Sequence, residues 1–236
     1  MSQSALVLFS GGQDSTTCLA WALDKYKRVE TIGFTYHQRH KVELDCRVSI
    51  LKKMKDFSFN RPCKLGDDHL IDLTVISSLG NTALTNEIEI KMLKNGLPNT
   101  FVPGRNLFFL VTAATVAYRR NITTLIGGMC ETDFSGYPDC RDEAIKSMQL
   151  AISLGLATNL SIETPLMWLK KSETWELAKK IGGDDLVNLI IDDTHTCYKG
   201  DRLTKYNWGF GCATCPACIL RKCGFIEFVE GNSRTS

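Results

Sequence analysis

No hydrophobic run in the sequence approaches the roughly 18 to 20 residues that a membrane-spanning helix requires. Neither sign of charge is in excess, because 28 Lys and Arg residues balance 26 Asp and Glu residues to a net charge of +2. That balance does not suggest bulk nucleic acid as a partner. The first nine residues carry no basic segment and no cleavage site, so no secretory leader is expected. We therefore expect a cytoplasmic protein that needs neither a membrane nor a nucleic acid.

The sequence is rich in cysteine, with ten in 236 residues. The composition, 44% hydrophobic and 23% charged, is that of a globular chain with one or at most two domains. Five cysteines are scattered, and five lie in the C-terminal fifth. Such clustering in a chain without a leader favours a metal site in a reducing compartment over a disulfide framework. The clustered residues are Cys197, Cys212, Cys215, Cys218 and Cys223.

Hydrophobic patterning predicts an α/β fold with a parallel sheet covered by helices on both faces. The chain opens with a strand, a glycine turn and a helix, which is how an α/β unit begins. From residue 191 the sequence consists of short segments separated by Cys and Gly residues. We therefore predict an α/β domain over 1–190 and a small helical appendage, braced by a metal, over 191–236. Strands are predicted at 5–9, 31–36, 65–73 and 123–126, and helices at 16–26, 42–54, 107–120, 141–154, 172–182 and 216–225.

The segment Ser10-Gly11-Gly12-Gln13-Asp14-Ser15 lies between the first strand and the first helix. Glycines there allow a phosphate to approach the backbone, and the free N–H groups of the helix start can receive its charge. The simpler interpretation is a strand-to-helix turn in which Asp14 or Ser15 is only an N-cap. A kinase-type P-loop is excluded because no Lys follows the glycines. The dinucleotide pattern is excluded because no third glycine stands in register.

Ser-Gly-Gly-x-Asp-Ser after a first strand resembles the PP-loop of the ATP pyrophosphatase superfamily, whose fold is of the adenine nucleotide alpha hydrolase type. Longer strings, in the same order and at plausible spacing, resemble the 7-cyano-7-deazaguanine synthase family from Leu6 to about Phe225. The resemblance implies a ligase that joins ammonia to 7-carboxy-7-deazaguanine with ATP, and a homodimer. The strings begin at Phe9, Tyr36, Asn99, Glu131 and Glu163.

The matching strings supply the candidate site residues. Asp14, Ser15 and Arg105 are the candidate catalytic residues: Asp14 would help to hold Mg²⁺, and Arg105, Lys170 or Lys171 would neutralise charge on the transferring phosphate. Aromatic rings would stack on the purine-like substrate, and carboxylates would accept its N–H groups. The candidate ATP-binding residues are Phe9, Ser10, Gly11, Gly12, Gln13, Asp14, Ser15, Thr16, Thr17, Cys18 and Leu19. The candidate substrate-binding residues are Asn106, Glu131, Thr132, Asp133, Phe134, Tyr137 and Trp168.

Cys212, Cys215 and Cys218 provide three thiolates on one turn, a spacing suited to tetrahedral zinc. The fourth ligand is Cys197 or Cys223. If Pro216 starts a helix, Cys223 lies roughly 140° around from Cys218 and points away from the metal. The resemblance agrees, because the family has its first zinc cysteine in Thr-x-Thr-Cys-Tyr, which is Cys197 here. Four thiolates leave no open position, so the zinc is predicted to be structural.

Residues 198–211, between Cys197 and the other three cysteines, form a longer spacer than the family usually has. This loop carries several Lys and Arg residues and aromatic residues. It is either a solvated insertion or a basic, aromatic surface that contacts a macromolecule. The alternatives to the synthase are therefore a divergent member acting on a protein or tRNA through this loop, or another tRNA-modifying PP-loop enzyme. No stretch remains for a glutaminase domain, so free ammonia is the expected nitrogen donor.

Overall fold

A computed structural model of the chain describes residues 3–36, 42–60, 62, 64–78, 99–132 and 137–233. Its main sheet has five strands in the order β3-β2-β1-β4-β5, and every neighbouring pair is parallel. The predicted parallel sheet is confirmed, and β5 was not predicted. The strands are β1 (Ser4–Leu8), β2 (Arg28–Thr35), β3 (Leu65–Asp72), β4 (Thr124–Ile126) and β5 (Ser161–Glu163).

Seven α-helices accompany the sheet in the described part of the chain. Apolar residues spaced three and four apart give most of them one buried face, and this spacing is the pattern that predicted them. The helices are α1 (Gln13–Lys25), α2 (Val42–Met54), α3 (Val75–Ser78), α4 (Arg105–Arg119), α5 (Asp142–Gly155), α6 (Lys171–Asp193) and α7 (Pro216–Ser233).

Helix α6 corrects one predicted boundary. The sequence predicts that the helix ends at Gly182-Gly183, but the structure has a kink there. Gly183 adopts φ 64° and ψ −159°, outside helical geometry, and the chain then returns to helix as far as Asp193. The residues after the kink pack into the same core as those before it, with Leu186 and Ile190 fully buried. Tertiary packing therefore overrides the glycine stop signal.

The sheet separates two hydrophobic cores. On one face, side chains of α1, α2, α6 and α7 pack against alternate residues of β1, such as Ala5 and Val7. On the other face, side chains of α4 and α5 pack against Leu6 and Leu8. Alternation along β1 follows from the period of two in a strand, which sends successive side chains to opposite faces. The central strands are buried on both sides, as the prediction of a doubly covered sheet requires.

The C-terminal region shares the first core. Cys197, Trp208 and Phe225 belong to the same buried cluster as α1 and β1. The boundary predicted at residue 190 falls inside α6. A short antiparallel hairpin, β6 (Lys205–Tyr206) and β7 (Gly209–Phe210), precedes α7. The C-terminal appendage thus packs into the same core as α1, the helix that follows the glycine loop.

The outer faces of α4 and α5 expose several large apolar side chains. Val111 and Tyr118 on α4 are about half exposed, as are Leu150 and, more fully, Leu154 on α5. Among the described residues, no helix combines the length and the apolar character needed to cross a membrane. These apolar side chains lie outside the two cores and face solvent.

Candidate active site

The candidate active site lies at the carboxyl ends of β1 and β4. These strands are neighbours, but the helices that follow them cover opposite faces: α1 follows β1, and α5 follows β4. The strand order therefore reverses between them, and open parallel sheets bind ligands in the crevice at such a point. A Cβ atom added to Gly128, after β4, would lie 3.4 Å from Asp14. The two strand ends thus meet at the glycine loop.

The hydroxyl of Ser15 organises the glycine loop. Its Oγ accepts hydrogen bonds from the backbone N–H groups of Ser10 (3.2 Å) and Gly11 (3.3 Å), and it donates to the carbonyl of Gly12 (3.1 Å). The Ser10 hydroxyl accepts a hydrogen bond from the Gly12 N–H at 3.2 Å. The loop is thereby held as a compact turn in which helix α1 begins at Gln13. Both amide atoms of Gln13 are buried without a hydrogen-bond partner among the described residues.

Glycine is required at position 11 for two reasons. Its φ of 92° is in the left-handed region, and an added Cβ would lie 2.5 Å from the carbonyl oxygen of Glu43. Gly12 is less restricted, with an added Cβ 3.3 Å from the carbonyl oxygen of His195. The His195 N–H also donates to the Gly11 carbonyl at 3.3 Å. The segment that leads to Cys197 therefore packs directly against the loop.

Two cations flank Asp14. The Lys171 ammonium group, at the start of α6, lies 2.8 and 3.0 Å from the two carboxylate oxygens of Asp14. Arg221 on α7 is fully buried and has no carboxylate within ion-pair distance among the described residues. Burial lowers its pKa to about 10, and the charge of Asp14 opposes that shift. Arg221 remains charged at neutral pH and adds positive potential near the loop.

The Arg221 guanidinium is held entirely by neutral acceptors. It donates to the carbonyl oxygens of Ile190 and Trp208, each at 2.8 Å, and to the hydroxyls of Thr194 (2.9 Å) and Thr196 (3.0 Å). These contacts tie α7 to the end of α6 and to the segment before Cys197. Arg221 was not among the predicted site residues, because a Lys-Arg neighbourhood on a helix gives no signal of burial.

Arg105 stands at the first position of α4. Its guanidinium carbon lies 6.0 Å from the ring centroids of both Phe109 and Tyr137. Burial opposes a charge at this position, whereas charge interactions with Tyr36, Tyr137 and Tyr198 favour it, and the pKa of Arg105 is raised. We call Arg105, Tyr36, Tyr137 and Tyr198 the arginine–tyrosine cluster.

Glu43, in the first turn of α2, is a carboxyl group whose pKa responds to the charge of Arg105. Burial raises its pKa to about 7, and the charge of Arg105 only partly offsets that effect. Burial also raises the pKa of Tyr36. Glu43 was not predicted as a site residue, and nothing in its sequence neighbourhood distinguishes it from the exposed acidic residues of an ordinary helix start.

Asn106 and Asp139 form a second polar contact beside Arg105. The backbone N–H of Asn106 donates to Oδ2 of Asp139 at 3.0 Å, and the Asn106 amide lies 3.2 Å from the sulfur of Cys140. The other carboxylate oxygen of Asp139 is buried and has no hydrogen-bond partner among the described residues. The Tyr137 hydroxyl is 2.6 Å from that of Thr100. Asn106 and Tyr137, both predicted from sequence, thus lie beside Arg105.

The other predicted substrate residues are more peripheral. Glu131 is exposed, and its Oε2 accepts the backbone N–H of Asp142 at 3.0 Å, so this carboxylate caps α5. The Thr132 hydroxyl donates to the carbonyl of Leu169. Trp168 is 63% exposed. Asp133 and Phe134 lie outside the described residues, so the structure says nothing of them.

The four cysteines predicted as metal ligands come together. The sulfurs of Cys197, Cys212, Cys215 and Cys218 all lie within 4.8 Å of one another. Tetrahedral zinc with Zn–S bonds of about 2.3 Å requires sulfurs roughly 3.8 Å apart, so this group is close to the required size. The donor set fits zinc, whereas Cys223 is exposed and outside the group.

The backbone of the cysteine loop donates a hydrogen bond to one of the four sulfurs and lies very close to another. The N–H of Cys215 points at the sulfur of Cys212 at 3.3 Å. Hydrogen bonds from the thiols of Cys215 and Cys218 lower the pKa of Cys197, and the pKa of Cys218 is raised in return. A Cβ atom at Gly211 would lie 2.6 Å from the sulfur of Cys218. The loop therefore approaches the sulfurs so closely that only glycine fits at that position.

Residues 198–211 fold against the protein. Arg202 donates to the carbonyl oxygens of Thr194, Asp192 and Asp193 at the end of α6. Lys205 forms an ion pair with Asp192 at 2.8 Å. Trp208 is buried and stacks on Tyr206 with ring centroids 4.8 Å apart. Arg202 and Lys205 therefore brace the end of α6.

The fold and loop define a class of protein. A five-stranded parallel sheet carries a Ser-Gly-Gly-x-Asp-Ser turn at its switch point, which is the arrangement of PP-loop nucleotide-binding proteins. A solved structure of a 4-thiouridine synthetase–RNA complex with bound ATP has the same fold, with a TM-score of 0.52 at 20% sequence identity. It aligns with 78% of this chain, which spans 42% of that protein's chain.

Sequence comparison identifies the family within this class. The family model described as queuosine biosynthesis protein QueC matches residues 4–229, and the chain belongs to this family. A 7-cyano-7-deazaguanine synthase of Janthinobacterium sp. (strain Marseille) is 61% identical over 224 residues, 95% of each chain. Proteins of the same name from Herminiimonas arsenicoxydans and Bordetella pertussis (strain Tohama I) are 60% and 59% identical, over 97% and 96% of this chain and 98% and 93% of theirs.

Proposed function

We propose that this protein is an ATP-dependent ligase that converts 7-carboxy-7-deazaguanine and ammonia into 7-cyano-7-deazaguanine. The observation that carries the proposal is the identity of about 60% over nearly the whole chain with proteins named for this reaction. The glycine loop at the switch point and the four-cysteine group support it. The product would serve queuosine biosynthesis, as the description of the family indicates.

The chemistry requires activation of oxygen twice. A carboxylate does not react with ammonia, because its leaving group would be oxide. Attack of the acid on the α-phosphorus of ATP releases pyrophosphate and gives an acyl adenylate, and ammonia then displaces AMP to form the amide. A second adenylation, on the amide oxygen, makes that oxygen leave as AMP while the nitrogen loses its protons to form the nitrile. One pocket serves both steps, because acid and amide differ only in oxygen for nitrogen.

The ATP site that we propose is residues 9–19. The backbone N–H groups of the glycine loop and the N-terminus of α1 would receive phosphate charge. Lys171 and Arg221 supply cations next to the loop, and Asp14, which Lys171 contacts, would help to hold Mg²⁺. The protein would act mainly by positioning the reactants and neutralising the charge of the phosphates, and not by forming covalent bonds with them.

The substrate would lie across the crevice from the loop. Asn106 and Tyr137, which lie beside Arg105, would contact it. Glu131, Thr132, Asp133, Phe134 and Trp168 complete the set that we propose to contact the deazapurine. For Glu131 only the carboxylate oxygen that does not cap α5 is available, so its contact with substrate would be through a single oxygen.

We further propose that Cys197, Cys212, Cys215 and Cys218 hold one structural Zn²⁺ per chain, and that the protein is a cytoplasmic homodimer. Four thiolate donors leave no position for substrate, so the metal would brace α7 and the loop rather than act on the acid. Elemental analysis of purified protein tests the metal, with one zinc per chain expected. Light scattering in solution tests the dimer, for which the exposed apolar side chains of α4 and α5 would provide contact area.

Mass spectrometry of a reaction containing the acid, ATP, Mg²⁺ and ammonium tests the function. We expect the nitrile, with the amide as an intermediate, and two AMP per nitrile by nucleotide chromatography. Glutamine in ammonia-free buffer should give no turnover. ADP as the main nucleotide, or failure of the separately supplied amide to react with ATP alone, would contradict the mechanism.

A further inference from the structure

Helix α7 approaches the start of α6 so closely that one of its positions has no room for a side chain. A Cβ atom added to Gly224 would lie 2.6 Å from both Cβ and Cγ of Lys171 and 2.9 Å from the carbonyl carbon of Lys171. These atoms belong to the backbone and to the base of the side chain, so they cannot swing aside as the end of a flexible side chain can. Glycine at position 224 therefore allows the α7 backbone to lie against Lys171.

The Lys171 side chain runs from this contact with α7 to the glycine loop. The residue is only 9% exposed, and its ammonium group lies 2.8 and 3.0 Å from the two carboxylate oxygens of Asp14. Asp14 is in the first turn of α1, and a third of its side chain remains exposed. A buried ammonium group requires a charged partner, which Asp14 supplies. One end of Lys171 is thus held by α7, and the other lies beside the loop that we propose to bind phosphate.

We propose that Gly224, which neither the sequence motifs nor the comparisons assign to the site, is a positioning residue for ATP binding. It allows α7 to hold the stem of Lys171, so that the ammonium group faces Asp14 and the phosphates of the nucleotide. This inference rests on the proposed function, because it requires ATP at residues 9–19. A lysine has a flexible stem of four carbons. Packing against a helix restrains that stem before ATP binds, and the charge is therefore already in place.

Aromatic packing next to Gly224 fixes the distance between the two helices. Trp175, one turn after Lys171, is fully buried and meets Phe225 edge-on, with ring centroids 5.1 Å apart and 74° between the planes. Phe228, one turn further along α7, stacks on the same indole at 6.3 Å. Helix α7 could move away from α6 only by separating these rings. We therefore expect the displacement caused by a Cβ atom at position 224 to fall on Lys171.

The test is calorimetric titration with ATP and Mg²⁺, which needs neither the acid nor ammonia. Gly224→Ala is compared with Gly231→Ala on the same helix, where an added Cβ meets nothing within 4 Å. Both changes replace a helical glycine with alanine and gain a similar helix propensity, so they differ in the contact with Lys171. We expect Gly224→Ala to weaken ATP binding about 5- to 20-fold, because the ammonium group is displaced. Gly231→Ala should bind ATP as wild type does.

A double-mutant cycle separates positioning from a general loss of stability. Lys171→Met should weaken ATP binding about 10- to 100-fold, because Asp14 then faces the phosphates without its cation. Since Gly224 acts through Lys171, adding Gly224→Ala to Lys171→Met should weaken binding no further. Additive effects would overturn the inference. So would wild-type affinity in Gly224→Ala, or a loss of zinc from this variant in proportion to its loss of affinity.

Lys171→Arg provides a second test, which decides the matter if Gly224→Ala does not fold. This change keeps the charge, but the different side chain has to pass the same contact with α7. We therefore expect it to recover only part of the affinity that is lost in Lys171→Met. Full recovery would show that charge is sufficient without position, and would overturn the inference, as would failure of the wild type to bind ATP. Absence of nitrile from a wild-type protein that binds ATP would instead contradict the proposed function.

Discussion

Position 11 shows how a single residue fixes the glycine loop. Gly11→Ala forces a side chain into left-handed backbone and against the Glu43 carbonyl, 2.5 Å from the new Cβ. We expect destabilisation of about 1–3 kcal/mol and loss of ATP turnover, because the loop must move to relieve the contact. Urea unfolding and the ATP reaction measure the two effects. Gly155→Ala, where an added Cβ meets nothing within 4 Å, is the control and should behave as wild type.

Position 12 tests phosphate access. Gly12→Val puts a branched side chain beside the His195 carbonyl, where an added Cβ is 3.3 Å away, and into the approach to the loop N–H groups. We expect loss of activity in a protein that still folds. Circular dichroism checks the fold, and nucleotide binding checks the site. Retained ATP affinity in folded Gly12→Val would count against the proposed phosphate site.

Glu43 makes stability depend on pH in a defined direction. Its pKa in the folded protein is raised from 4.5 to about 7, so the stability that its protonated form contributes is complete below about pH 4.5 and is lost as the pH rises through about 7. Glu43→Gln mimics the protonated form. We therefore expect its urea midpoint to exceed that of wild type at pH 8 and to match it near about pH 4. Asp45→Asn, an exposed change on the same helix, should show no such pH-dependent difference.

At the scale of elements, Arg221 joins α7 to the end of α6. Arg221→Met leaves two carbonyl oxygens and two hydroxyls without their donor, so we expect destabilisation of about 2–4 kcal/mol. Arg221→Lys keeps the charge but lacks the planar set of N–H donors of a guanidinium. It should therefore recover only part of the stability lost in Arg221→Met. Lys222→Met, the exposed neighbour, is the control. A free energy of unfolding unchanged in Arg221→Met would show that these hydrogen bonds contribute little.

Elements with regular patterning could be predicted from the sequence, and elements fixed by distant contacts could not. Helix α2 was predicted with its observed bounds, because its apolar spacing and flanking residues define it locally. The continuation of α6 beyond Gly183 depends on packing against other helices, and no local pattern records it. Strand β5 is three residues long, Ser161–Glu163, and owes its pairing to β4. Short elements of this kind carry too little periodicity to be recognised.

The candidate active site shows the same contrast between residues marked by local patterns and residues fixed by distant contacts. The glycine loop is contiguous and Cys212, Cys215 and Cys218 are regularly spaced, so the residues themselves predicted a phosphate loop and a metal site. Arg221, Glu43 and Tyr198 come from three separate parts of the chain, and only folding brings each of them near the loop or near Arg105. The burial that gives them their properties is a tertiary effect.

For the whole molecule, metal binding and folding should be inseparable. The four sulfurs belong to a region that shares its core with α1 and β1, so loss of the metal should lower the stability of the whole chain and not only of its end. We expect Cys215→Ala to be insoluble or strongly destabilised and Cys223→Ala to be mild. Zinc analysis and thermal unfolding with and without a chelator provide the measurement. Loss of zinc from Cys223→Ala would show that the ligand set is wrong.

The hydrogen bond from the His195 N–H to the Gly11 carbonyl also has a consequence for biosynthesis. During translation the glycine loop leaves the ribosome early, but the segment that packs against it is made about four-fifths of the way through the chain. The sulfurs that anchor that segment emerge later still. The glycine loop therefore cannot be held by the His195 segment until that segment has also left the ribosome.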